Sequence, residues 1–178
     1  LSQIVGPEGK VIATATYRTE GDTERTQGVF AERNVDGVLS NVEIVATLED
    51  IPDASVDAII TVRNYHDFGE RAERVATLER LLRVLKPGGI LGAVDAHTDK
   101  TDGDERDESV HRLNEELARQ EIIEGGFEFV GSSDLLYNAD DTFDFDGREG
   151  GRTPDDPSDD APIYRYFIHR WVLKFQKP

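Results

Sequence analysis

The sequence predicts an α/β domain in which helices flank a mostly parallel β-sheet. Short apolar runs at 56–62 and 90–94 are typical of strands that are covered on both faces. Between them, apolar side chains recur at helical spacing, at Val75, Leu78, Leu81, Leu82 and Leu85. Pro87 cannot continue this helix, and Gly88 and Gly89 permit a tight turn. A strand, a helix and a second strand in this order form a βαβ unit, whose two strands run parallel.

Further elements are predicted on both sides of this unit. The upstream elements are a helix end at 1–5, a strand at 11–16, an irregular polar stretch with a short helix at 18–41 and a strand at 42–46. The downstream elements are an acidic loop at 98–108, a helix at 107–124, a strand at 125–130, an acidic connection at 138–162 and a strand at 166–175. The last two strands are expected to form an antiparallel hairpin. We expect residues 1–178 to form a single domain.

Composition excludes several classes of function. Acidic residues outnumber basic ones by 37 to 20, and the net charge is −17, so nucleic acid is not an expected partner. The chain has no cysteine, which excludes disulfides, thiolate zinc sites and cysteine nucleophiles. It has no run of eighteen apolar residues, so no membrane-spanning helix is predicted.

The chain contains no methionine and begins at Leu1, so we expect a preceding segment. Such a segment could carry a signal peptide, which leaves a cytoplasmic and a periplasmic location both open. The oligomeric state is also open.

The turn Leu85-Lys-Pro-Gly-Gly89 resembles one that precedes the fifth strand of class I S-adenosylmethionine-dependent methyltransferases. Four other segments resemble further strands of that family: 6–13 the second, 42–45 the third, and 125–130 and 171–175 the last two. The resemblance implies a Rossmann-like methyltransferase fold with a C-terminal antiparallel hairpin, lacking its first strand in this chain.

A narrower resemblance is to a group of bacterial predicted methyltransferases of unknown substrate. The segments that carry it are 64–67, 111–112, 133–136 and 174–178. The expected substrate is a small molecule or a protein side chain.

The resemblance implies S-adenosylmethionine as the cofactor. The positions that match its binding site are Thr16, Tyr17, Thr47, Leu48 and Asn64. The chain departs from the family pattern because the first strand with its Gly-rich loop is absent, and the second and third strands end without the usual acidic residue. The alternative hypothesis is therefore a degenerate methyltransferase fold that serves as a binding or structural protein without catalysis.

The predicted catalytic residues are Asn64, His66 and Asp67, at the end of the strand 56–62. Histidine side chains titrate near neutral pH, so His66 is a candidate general base. Asp67 is expected to orient His66 or to cap the next helix, and Asn64 to hold a polar group of the substrate. Tyr65 is a candidate to shield the transferred methyl group. The alternative interpretation is that His66 and Asp67 have only structural roles.

Asp95 and His97 end the next strand, and His111 follows the acidic loop. These residue types can bind a metal ion, but their spacing matches no known zinc pattern. A hydrogen-bonded buried histidine is the favoured interpretation, and no metal is predicted.

Overall fold

The computed structural model describes residues 1–14, 20–100, 106–107, 111–143 and 168–178. They form two compact units, Leu1–Asp53 and Ala54–Pro178. The predicted single domain stays a prediction, and each unit is described here by itself.

The first unit is a small β–α–β element. Its parts are the helices α1 (Ser2–Val5) and α2 (Glu20–Arg33) and the strands β1 (Val11–Thr14) and β2 (Val42–Val45). The two strands pair in parallel, with Val11 opposite Val42. Asn41 donates hydrogen bonds from Nδ2 to the carbonyls of Ser2, Gly6 and Gly9, at 3.0–3.1 Å. This amide ties the start of β2 to the turn before β1.

The stretch at 18–41 was expected to be irregular with a short helix, and it contains the 14-residue helix α2. The helix lacks an apolar stripe. Every position of α2 whose exposure is described is exposed, apart from the half-buried Phe30. A helix without a buried face gives no hydrophobic period to detect.

The second unit is built on a four-stranded sheet in the order β3–β4–β8–β7. Its strands are β3 (Val56–Val62), β4 (Leu85–Ala96), β7 (Glu128–Ser132) and β8 (Arg170–Gln176). β3 and β4 are parallel, whereas β8 is antiparallel to both β4 and β7. The predicted sheet, with its antiparallel C-terminal hairpin, is thereby confirmed.

Two helices, α3 (Arg71–Val84) and α4 (Glu115–Glu124), accompany this sheet. Two short strands, β5 (Arg106–Asp107) and β6 (Arg112–Leu113), form a separate antiparallel pair. The buried apolar side chains of the second unit include Leu78, Leu81, Ala118 and Ile122 on the helices and Leu91, Ala93, Trp171, Leu173 and Phe175 on the sheet. In the sheet these positions alternate with more exposed ones, as expected when one face is buried.

The turn at 85–89 is looped out of β4. Val56 of β3 pairs with Leu85, but Ala58 pairs with Ile90, so residues 86–89 are not paired with β3 in the strand register. Gly88 has φ +75°, and a Cβ on Gly89 would lie 2.8 Å from the Lys86 carbonyl oxygen. Both positions therefore require glycine. This loop lets α3 pass directly into β4.

Two predicted boundaries were wrong. The helix expected at 107–124 begins only at Glu115, with Asn114 as its N-cap. Its side-chain oxygen accepts hydrogen bonds from the backbone N–H groups of Glu116 and Leu117, at 2.9 and 3.3 Å. The residues before it include β6 rather than a helical turn, and the last strand begins at Arg170 rather than at 166. Within the described ranges, no helix is long and apolar enough to cross a membrane.

Candidate active site

The chain changes direction sharply where β3 ends. Arg63 has φ +56°, a left-handed conformation that is uncommon for residues other than glycine. A 3₁₀ turn at Tyr65–Asp67 follows, in which the N–H of Asp67 donates to the carbonyl of Asn64 at 3.1 Å. Extended chain cannot continue through a left-handed residue, so Arg63 ends the strand. The turn then places His66 beside the neighbouring strand β4.

His66 and Asp95 form a buried hydrogen-bonded pair, which we call the dyad. Nδ1 of His66 lies 2.8 Å from Oδ1 of Asp95, and the backbone N–H of His66 donates to Oδ2 at 3.0 Å. Asp95 is completely buried and His66 is 3% exposed. A carboxylate can only accept these bonds, so Nδ1 of His66 donates to Asp95. Asp95 therefore orients the ring and sets its tautomer.

Asp67 stands on the other side of the same ring. Its Oδ1 lies 3.4 Å from Nε2 of His66, and its side chain is about one-third exposed. A carboxyl oxygen therefore lies next to each of the two ring nitrogens of His66. The helix that follows is not capped by Asp67, because Glu70 is its N-cap and pairs with Glu73 in a capping box.

A buried network holds the turn against helices α3 and α4. Glu121 of α4 accepts hydrogen bonds from Nε and Nη2 of Arg74 at 2.8 and 2.7 Å, and from the hydroxyl of Tyr65 at 3.1 Å. Burial, then the charge of Glu121, raises the pKa of Tyr65 far above its usual range. The phenol is thus a permanent donor to Glu121. Tyr65 anchors the turn in the core, which argues against the predicted role of shielding a methyl group.

All four histidines of the chain lie in two ring–ring pairs within the second unit. The rings of His66 and His111 are 5.6 Å apart and nearly perpendicular. The rings of His97 and His169 are 4.7 Å apart. Burial, followed by the neighbouring His169, lowers the pKa of His97 to about 4, and burial also lowers the pKa of His169. The second pair is therefore uncharged at neutral pH.

A buried ion pair between Arg112 and Asp141 forms hydrogen bonds with the backbone of His97 and His169. Arg112 donates to both carboxylate oxygens of Asp141, at 2.8 and 3.1 Å, and to the carbonyl of His97 at 2.8 Å. The backbone N–H groups of Phe143 and His169 also donate to Asp141. Burial acts to raise the pKa of Asp141, but the hydrogen bonds from Arg112, Phe143 and His169 outweigh it and lower that pKa. The pair of Asp141 and Arg112 thus joins four segments of the chain, at 97, 112, 141–143 and 169.

The structure brings together the three predicted catalytic residues. Asn64, His66 and Asp67 lie in one turn at the carboxyl end of β3. Asp95, the orienting partner of His66, was considered in the sequence only as a metal ligand. Its place directly after an apolar strand parallel to β3 is the signal that could have found it, because the carboxyl ends of parallel strands share one edge of a sheet.

The predicted cofactor contacts fall in different parts of the chain. Asn64 is half-buried beside the dyad. In the first unit, Leu48 is buried, and the Thr47 hydroxyl donates to Oδ2 of Asp50 at 3.1 Å. Thr16 and Tyr17 lie outside the described residues.

No metal site is found in the part of the chain that the structure describes, since no three histidine or carboxylate groups there are placed to hold a metal ion. Asp95 is bonded to His66, and Nδ1 of His97 accepts a hydrogen bond from the N–H of Glu115 at 3.3 Å. These contacts favour the interpretation of hydrogen-bonded histidines.

Comparison with protein families gives one match. Residues 10–93 match the model of the methyltransferase domain, a span that includes β1, β2, β3 and the first part of β4. No curated protein matches the chain significantly in sequence.

Solved structures share the fold over nearly the whole chain. A SAM dependent methyltransferase from Aquifex aeolicus is 18% identical, with a TM-score of 0.62, over 99% of this chain and 73% of its own. The [4+2]-cyclase SpnF is 15% identical, with a TM-score of 0.60, over 95% of this chain and 66% of its own. An O-methyltransferase family 2 protein from Planctomyces limnophilus is 14% identical, with a TM-score of 0.58, over 95% of this chain and 43% of its own. This chain therefore spans less than two thirds of the length of some of these proteins.

The strand order, the antiparallel C-terminal hairpin and the family match define an α/β protein of the methyltransferase fold. The family match over residues 10–93 and the likeness of fold make this chain similar to S-adenosylmethionine-dependent methyltransferases.

Proposed function

We propose that this chain catalyses methyl transfer from S-adenosylmethionine to a small molecule or a protein side chain, with His66 as general base. The observation that carries the proposal is the buried dyad, in which Nδ1 of His66 lies 2.8 Å from Asp95 at the carboxyl ends of β3 and β4. In open α/β sheets this is the edge where ligands bind.

The residues of the dyad have distinct roles in this proposal. Asp95 holds the proton on Nδ1 of His66, and Nε2 is the ring nitrogen that takes the proton from an O–H or N–H group of the acceptor. Asp67 stabilises the imidazolium that results, because its carboxylate lies 3.4 Å from Nε2. His66 is the catalytic residue, and Asp95 is a positioning residue.

The half-buried amide of Asn64 fits a contact with the cofactor or with a polar group of the acceptor. When bound, S-adenosylmethionine supplies an electrophilic methyl group and leaves as S-adenosylhomocysteine. The contacts of Thr47 and Leu48 with the cofactor stay a prediction.

Titration calorimetry with S-adenosylmethionine and S-adenosylhomocysteine tests the proposal directly. We expect saturable binding of both compounds. If neither gives heat or a thermal shift at millimolar concentration, the chain is not a methyltransferase, and the alternative of a fold without catalysis holds.

Substitution of the dyad tests the mechanism. An acceptor is first found by screening small hydroxyl and amine compounds and peptides for release of S-adenosylhomocysteine. With this acceptor, His66→Gln is expected to lower kcat ~100-fold or more, as for loss of a general base. Binding of S-adenosylhomocysteine should not change. Asp95→Asn should lower kcat less and alter the pH–rate profile, whereas the matched control His169→Gln should leave kcat near that of the unsubstituted chain. Equal kcat values for His66→Gln and His169→Gln would refute the role of His66.

A further inference from the structure

The N-terminal end of helix α4 is bonded to the chain that directly follows Asp95. Nδ2 of the N-cap Asn114 donates to the carbonyl of Thr98 at 3.1 Å. The backbone N–H of Glu115, the first residue of α4, donates to Nδ1 of His97 at 3.3 Å. Thr98 is 1% exposed and Asn114 is 7% exposed, so the bond between them is shielded from water. This end of the helix is thereby fixed to the end of β4.

The middle of the same helix is bonded to the turn that carries His66. The hydroxyl of Tyr65, the residue before His66, donates to Oε2 of Glu121 at 3.1 Å. Arg74, the ion-pair partner of this carboxylate, also donates from Nη1 to the carbonyl of Gly69 at 3.0 Å. The buried ion pair therefore holds the chain on both sides of His66.

The two attachment points lie on one buried side of α4. Asn114 and Glu121 are seven residues apart, so they lie on the same side of the helix, about 10 Å from each other along its axis. Ala118 and Ile122 on this side are completely buried. Because packed interiors resist deformation, α4 acts as a rigid connection between the two attachment points.

Trp171 adds a contact between the dyad and both attachment points. It pairs with Asp95 across β8 and β4. Its ring lies edge-on to that of Tyr65, with the centroids 6.2 Å apart. Its Nε1 donates to the carbonyl of Leu113, directly before the N-cap of α4, at 3.0 Å. A displacement of α4 therefore moves both the turn of His66 and the surroundings of Asp95.

We propose that α4 sets the geometry of the dyad. Tyr65, Glu121 and Asn114 are then positioning residues, which act through the dyad. The helix holds the turn of His66 and the end of β4 at a fixed separation, so Nδ1 of His66 stays at hydrogen-bond distance from Asp95. A general base depends steeply on such placement, since a shift of about 1 Å can cost about 100-fold in rate. The positioning of His66 stands by itself, and only its effect on kcat rests on the proposed function.

The proton on Nδ1 of His66 reports this geometry without cofactor or acceptor. A proton that is held by a buried carboxylate gives an NMR signal far downfield of the amide protons, and it exchanges with water only when the dyad opens. The variant His66→Gln assigns the signal. Tyr65→Phe removes only the hydroxyl, whereas Asn114→Ser keeps a cap for α4 but has no Nδ2 donor for Thr98. Each of these two variants should raise the exchange rate of the proton ~5-fold or more, as for the loss of one hydrogen bond.

The matched control is Glu124→Gln, a substitution at an exposed position of α4. Urea unfolding shows whether each variant is folded, and if Tyr65→Phe is unfolded, Asn114→Ser decides. With the acceptor of the proposed reaction, both variants should lower kcat ~10-fold or more and leave KM and the binding of S-adenosylhomocysteine unchanged. A merely structural role would change the urea midpoint without lowering kcat in the folded chain.

The proposal is wrong if the unsubstituted chain shows no such signal, or if the proton exchanges in either folded variant at the rate found in Glu124→Gln. A chain that binds S-adenosylhomocysteine, but whose proton does not respond to these substitutions, overturns this inference alone. A chain whose proton responds as expected, but which binds neither form of the cofactor, overturns the proposed function alone.

Discussion

Replacing Glu121 by alanine removes the carboxylate that accepts hydrogen bonds from Arg74 and Tyr65. Arg74 is 2% exposed and Glu121 is 4% exposed, so the Arg74 guanidinium would stay in the interior without this carboxylate. Removing one member of a buried ion pair costs about 3–5 kcal/mol. Domains are stable by about 5–15 kcal/mol, so the loss is a large part of the total.

Urea unfolding followed by Trp171 fluorescence and by circular dichroism measures this effect. With a slope of about 2 kcal/mol per M, the expected loss lowers the midpoint by about 1.5–2.5 M. The matched control is Glu124→Ala. Glu124 also joins α4 to α3, through Arg71, but both of those side chains are more than half exposed. An exposed pair contributes about 0–1 kcal/mol, so this control should shift the midpoint little.

The double variant Arg74→Met with Glu121→Leu shows whether the unpaired buried charge of Arg74, rather than another effect of the substitution, causes the loss of stability in Glu121→Ala. Replacing both partners by apolar side chains should restore most of the stability. Equal midpoints for Glu121→Ala and Glu124→Ala would refute the reasoning. So would a double variant that is no more stable than Glu121→Ala.

Further predictions concern the stability of the chain at acid pH and the N-cap of helix α4. The pKa of His97 is about 4 in the folded chain and 6.5 in an ordinary histidine. As the pH falls, the unfolded chain therefore binds this proton at a higher pH than the folded chain does. The free energy of unfolding is therefore expected to fall as the pH is lowered from 6.5 to 4, and to fall less steeply in His97→Gln. If the free energy of unfolding depends on pH identically in the two chains, this prediction is contradicted. Asp141, whose pKa is lowered below 3.8, should add a further loss below that pH. Asn114→Ala should lower the free energy of unfolding by about 1 kcal/mol because it removes the cap of α4, while Asn114→Ser should restore most of it.

The sequence and the structure agree on the elements with a strong apolar period. The helix before the Leu-Lys-Pro-Gly-Gly turn was predicted at 70–85 and is observed at Arg71–Val84, because its apolar stripe faces a buried sheet. The length of helix α2 was not predicted, and only a short helix was expected there, because α2 has no such stripe. Helix α4 was predicted too long, since the apolar Leu113 fits the helical spacing but lies in the short strand β6.

The candidate site was predictable only in part. His66, Asn64 and Asp67 were predicted because polar residues cluster directly after an apolar strand, and their catalytic role stays a prediction. The roles of their neighbours were not found. Tyr65 looked like a site residue but donates to the buried Glu121, which lies 56 residues further along the chain. A contact between residues so far apart in the sequence cannot be predicted from the residues near either of them.

The sequence by itself determined the α/β class, the parallel βαβ unit with its glycine turn, and the strand end that carries His66. These features follow from local periodicity and from backbone restrictions of proline and glycine. Only the tertiary structure decided that Asp95 orients His66. That relation depends on the register of β3 and β4, because it is the pairing of strands that brings distant residues to one edge of the sheet.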